Sequence, residues 1–73
     1  MTIVDSFFYN GHVYATCVGE NITSDFACTT ITVGGRTYKV TQTESRESFT
    51  GNIQAMLEIV GETLVPLGAC TAR

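Results

Sequence analysis

The chain has 73 residues, 44% of them apolar and 15% charged, with a formal net charge of −3. That balance excludes intrinsic disorder, which needs few apolar residues and much charge, and the length admits a single domain. The acidity argues against a general phosphate-binding surface, because nucleic-acid binders carry a basic patch.

Gly and Asn recur at short intervals: Asn10-Gly11, Gly19 to Asn21, Gly34-Gly35, Gly51-Asn52, Gly61 and Gly68. The pieces between them are rich in Val, Ile, Thr, Tyr and Phe, the pattern of short strands joined by turns. The first strand is "TIVDSFFY". Its aromatics, Phe7, Phe8 and Tyr9, fall on both faces. One face is expected to be core; the other, holding Phe8, is covered by a loop or exposed as a contact patch. Asn10-Gly11 is a dipeptide that accepts positive φ at both centres of a tight hairpin turn, and it leads into the second strand, "HVYATCV". The segment "NITSDFA" reads as a loop, and its Asn21 sequon as incidental.

The third strand, "CTTITV", turns at Gly34-Gly35 into the fourth, "RTYKVTQTES". There Tyr38 and Val40 share one face, and Lys39 and Thr41 the other. After the polar loop "SRESFTGN" comes "IQAMLEIVG". Its residue types favour a helix, and Ile53, Met56, Leu57 and Val60 have helical spacing. Ile53, Ala55, Leu57 and Ile59 alternate as a strand would, so local propensity leaves both readings open. A loop containing Pro66, the only proline, then leads to the terminal "ACTA". Six short strands laid flat would leave two unpaired edges, and closing the sheet into a barrel removes them.

Candidate chemistry is sparse. The longest apolar runs, such as "FFY" and "LEIV", are far below the ~18 residues that span a bilayer. The N-terminus lacks a basic segment, so no signal peptide is predicted. Cys17, Cys28 and Cys70 form an odd set without a CxxC motif, which points to free thiols and a cytoplasmic protein. They also lack zinc-ligand spacing, so neither a metal nor a cofactor is expected. Cys17 and Cys28 are a weak candidate for a reactive pair, since no neighbouring base or helix terminus would lower a thiol pKa. His12 follows the first turn without a carboxylate or nucleophile at a recognised spacing, and reads as a solvated turn residue. Arg36, Lys39 and Arg46 are candidates for one basic stripe beside the fourth strand, able to hold phosphates.

The order of these parts resembles the second domain of elongation factor Tu and its relatives, the β-barrel of the translational GTPases. The resemblance runs from Ile3 to Ala72 through "VDSFFYNGHVYATCVGENITSDFACTTITVGGRTYKV" and "LEIVGETLVPLG", with Gly61, Leu64 and Gly68 the best-matched points. Gly11-His12-Val13 stands where the family has Gly-Arg-Gly, and Ser24-Asp25 where it has Gly-Asp. The resemblance implies a six-stranded Greek-key barrel with residues 53–60 as a strand, Leu64 plugging one end and Gly68 opening the closing strand. No GxxxxGK[ST] loop is present, so the chain looks like the barrel alone, without GTP binding.

The expectation is therefore an all-β, closed six-stranded Greek-key barrel over residues 1–73, acting as a non-enzymatic binding module. Its partner is expected to be a protein or ribonucleoprotein, docked near Phe8 or on the loops around Gly11, His12 and Pro66. Alternatives are a small RNA-binding barrel using Arg36, Lys39 and Arg46, self-association, and a small thiol or acid–base enzyme. Binding to generic RNA and to membranes is not expected.

Overall fold

In the computed structural model, which describes residues 1–73, the chain forms six strands: β1 (Thr2–Tyr9), β2 (His12–Val18), β3 (Thr30–Val33), β4 (Arg36–Glu47), β5 (Ile53–Ile59) and β6 (Gly68–Ala72). They close into an antiparallel barrel in the order β1-β2-β5-β4-β3-β6. The hairpin-linked β3, β4 and β5, with β2 returning beside β5, make the Greek key. Residues 53–59 are a strand with Ala55, Leu57 and Ile59 buried. Pairing with β2 and β4 on both sides overrides the local helical preference.

The closing joint is short. β6 meets β1 only at Thr2↔Ala69 and Ile3↔Gly68, then runs along β3 from Val33↔Cys70 to Ile31↔Ala72. Past Ile3, β1 has no strand on that side, and the β5–β6 loop lies there instead. Ser6 fixes it: its Oγ donates to the Tyr14 carbonyl at 3.1 Å and accepts the Val65 N–H at 3.0 Å.

All fourteen buried residues are apolar, so the interior is a filled core with no buried polar side chain. Each end has an aliphatic plug from a loop: Ile22 from the β2–β3 loop and Val65 from the β5–β6 loop. The expected plug Leu64 is 46% exposed, whereas its neighbour Val65 is 3% exposed. The hydrogen bond from the Val65 N–H to Ser6 presses Val65, one residue along, against the core.

A bulge in β1 sets the face of every aromatic after it. Pairing with β2 passes from Ile3↔Cys17 to Asp5↔Thr16, so the register shifts at Val4. Beyond it Ser6 and Phe8 lie on the side shared with buried Ala15 and Val13, while Phe7 and Tyr9 lie on the outer side with Tyr14 and His12. The face opposite Phe8, expected to be core, is thus the outside of the barrel. One inserted residue moves every later side chain to the other face.

Candidate functional site

Two surfaces bring potentially functional side chains together. The first is the end of the barrel carrying the β1–β2 turn, the β3–β4 turn and the start of the β5–β6 loop. Antiparallel pairing puts the end of β1, the start of β2, the end of β5 and the start of β4 at this end. At the β1–β2 turn, Asn10 (φ 53°) and Gly11 (φ 79°) both take the left-handed conformation expected of a tight Asn-Gly turn. Val60 N–H donates to the Lys39 carbonyl at 2.9 Å, tying the loop to β4. Further along the loop, Pro66 lies beside the β3–β4 turn, about 3.8 Å from where a Cβ on Gly34 would sit.

Large apolar side chains stand exposed here: Phe8 at 57%, Val60 at 54% and Leu67 at 63%, together with Leu64 and Pro66. Phe8 keeps its core-side direction but lies beyond the reach of β6, at the barrel mouth. The expected contact residues Phe8, Gly11, His12 and Pro66 therefore belong to one end of the molecule, and all are exposed.

The second surface, the outer wall of β1, β2, β5 and β4, is not evident in the sequence. Register builds it in rows: Phe7, Tyr14, Glu58 and Gln42 run across the four strands, with Asp5, Thr16, Met56 and Glu44 in the next row. A second bulge, at Thr41 between Val40↔Ile59 and Gln42↔Glu58, brings Gln42, Glu44 and Arg46 onto this outer face. The Phe7 and Tyr14 rings lie 19° from parallel with centroids 5.7 Å apart, and Tyr9 stands across Tyr14 at 63° and 6.4 Å. Two shallow adjoining depressions of about 330 and 410 Å³ share Tyr14, Gln42, Glu44 and Met56.

Glu58 is the centre of the polar contacts on this wall. Its carboxylate accepts from the Thr41 hydroxyl at 2.9 Å and from the Tyr14 hydroxyl at 3.3 Å. His12 Nδ1 lies 4.0 Å from Glu58 Oε1, too far for a hydrogen bond. The carboxylate that the sequence did not supply for His12 thus comes from β5, through pairing across β2. The Tyr14 hydroxyl is held above the ordinary phenol pKa, first by desolvation and then by the Glu58 charge and hydrogen bond. The signal for this wall was present as the outward set of four strands, but it is readable only with both bulges known.

The basic residues do not form a stripe. Arg36 lies over the Tyr38 ring, 5.6 Å from its centroid, at the start of β4. Arg46 is near the other end of that strand, roughly 30 Å along its length at about 3.3 Å per residue, with Nε 3.8 Å from the Glu44 carboxylate. Lys39 is exposed between them.

The thiols are free, as expected, and the two that come together are not the Cys17 and Cys28 weighed as a reactive pair. Cys17 and Cys70 meet in the core with sulfurs 3.8 Å apart, and all three cysteines are free. Burial, then the neighbouring Cys70, pushes the Cys17 thiol up to about 12. The half-buried Cys28 thiol is also raised, by burial and then by Cys70. Thiols raised in this way are poor nucleophiles at neutral pH.

Comparison with protein-family models, curated proteins and solved structures finds no match to this chain.

Proposed function

We propose that this barrel is a non-enzymatic, cytoplasmic binding module, resembling the barrel of elongation factor Tu in the order of its parts, that contacts a protein or ribonucleoprotein partner through one end. The observation that carries this reading is the set of exposed Phe8, Val60, Leu64, Pro66 and Leu67 on elements sharing that end. Exposed aromatic and aliphatic side chains on a frame with a filled core gain free energy chiefly by docking on another surface. Phe8 and Leu67 are exposed, so they contribute little to the core and are available to a partner. The resemblance is an analogy of fold, and the partner class is taken from it.

The test is copurification from the native cell, with bound protein and RNA both identified, using the wild type, Phe8→Ser/Leu67→Ser and Arg36→Ala/Lys39→Ala. The expected result is a partner set kept by the arginine–lysine variant and lost by the Phe8/Leu67 variant. The same set recovered with all three, or RNA lost only with Arg36 and Lys39, would overturn it.

A further inference from the structure

The outer wall of β1, β2, β5 and β4 differs from the apolar end in chemistry. Its floor is the near-parallel pair Phe7 and Tyr14, with Tyr9 standing across Tyr14; Phe7, Tyr9 and Tyr14 share one depression with Met56 and this chain's own Arg46, and Glu58 lines the adjoining one with Tyr14 and Met56. Two carboxylates border this floor, and they are not equivalent. Glu44 lies 3.8 Å from Arg46, and both side chains are well exposed. No lysine or arginine nitrogen comes within 4.0 Å of Glu58, whose side chain is only 20% exposed. Two hydroxyl donors, from Tyr14 and Thr41, fix the orientation of the Glu58 carboxylate and leave it further accepting capacity.

We infer that this wall is a docking site for an arginine side chain of a protein partner, the guanidinium lying against the Tyr14 ring in the depression that Glu58 lines and donating to Glu58. The charge is complementary, on a molecule that is itself acidic at −3. The geometry favours arginine over lysine. A planar guanidinium stacks on aromatic faces and presents a fork of donors to a carboxylate, whereas an ammonium is a compact, strongly hydrated point charge. Tyr9, exposed at the side, limits where the cation can sit. This site goes beyond the apolar end: Phe8 and Leu67 take no part in it.

The experiment uses the intact protein, amide chemical shifts and three small probes: N-acetyl-arginine methylamide, its lysine analogue, and the citrulline analogue in which a neutral urea replaces the guanidinium. The arginine probe should bind saturably, with a dissociation constant on the order of millimolar for one cation–aromatic contact and one charged hydrogen bond. Shifts should concentrate at Tyr14, Met56 and Glu58. The lysine probe should bind more weakly and citrulline not measurably. Glu58→Gln, which keeps the side-chain size, should weaken arginine binding about tenfold or more. Tyr9→Ala, a change at an exposed position, should weaken it less. Phe8→Ser/Leu67→Ser should leave it unchanged, which separates failure of this site from failure of the apolar end. Equal binding of citrulline and arginine, undiminished binding by Glu58→Gln, or capture of a neutral disaccharide on the same residues would overturn the assignment. So would shifts at these positions that track protein concentration without any probe, since a second copy would then be the occupant.

Discussion

Cys17 has the most altered chemistry of any residue in the molecule. It is fully buried, 3.8 Å from the Cys70 sulfur, and its thiol is pushed up to about 12. Burial disfavours the thiolate more in the folded chain than in the unfolded one. The sign follows directly. The folded state holds a proton that the unfolded state releases once pH passes the ordinary thiol pKa near 9. The contribution to stability is full below that value and declines as pH rises through 9 to about 12, by up to about 1.4 kcal/mol per pH unit. Urea unfolding between pH 8 and roughly 11 should show this decline. Cys17→Ala should flatten the slope, whatever it does to absolute stability. An unchanged slope in that variant would remove Cys17 as its source. Three free thiols fit the odd count in the sequence, but the pairing of Cys17 with Cys70 rather than Cys28 depends on barrel closure.

At the scale of elements, one side chain joins three parts. Ser6 Oγ links β1 to the β2 backbone at Tyr14 and holds the β5–β6 loop at Val65. Nothing in the residue types around Ser6 marks this role. The bulge at Val4 turns Ser6 toward the core side, where β6 no longer reaches and a polar group has a backbone to satisfy. Ser6→Ala removes a partner from the Val65 N–H while Val65 stays buried, and should cost about 1–3 kcal/mol in denaturant unfolding. Amide exchange at Val65 should accelerate more than at Ile31 or Leu57, which are deep in the core. Uniform acceleration would mean that the loop is not an independently anchored element. The alternation of Tyr38 and Val40 with Lys39 and Thr41 in the first half of β4 was legible because a strand buried on one face repeats every second position; the outer set of β1 and the second half of β4 was not, because a bulge leaves no local signature in residue type.

For the whole molecule, the charge distribution bears on partners more than the total does. Arg36 and Arg46 are separated along β4, and Arg46 sits beside Glu44. With four basic against seven acidic side chains, generic single-stranded RNA should show no appreciable affinity at physiological salt. Anisotropy titrations at two ionic strengths check this. Submicromolar binding that falls steeply with salt would mean that Arg36, Lys39, Arg46 and Arg73 act together on one surface, contrary to the separation of Arg36 and Arg46 along β4.

The sequence by itself determined a predominantly β chain, and the boundaries of β1 and β2, because β-branched and aromatic runs between Gly- and Asn-containing turns are local signals. It also set aside a membrane-spanning helix: no helix of the structure is long and apolar enough to cross a bilayer. Only the tertiary structure decided that residues 53–59 are a strand, that Val65 rather than Leu64 fills the barrel end, and that Phe7, Tyr9 and Tyr14 gather around Glu58 on the outside. The physical reason is shared. Each depends on contacts between separate elements: the pairing of β5 with β2 and β4, the Ser6 anchor on the β5–β6 loop, and the strand register, where a one-residue shift reverses which face a side chain occupies without changing any local preference.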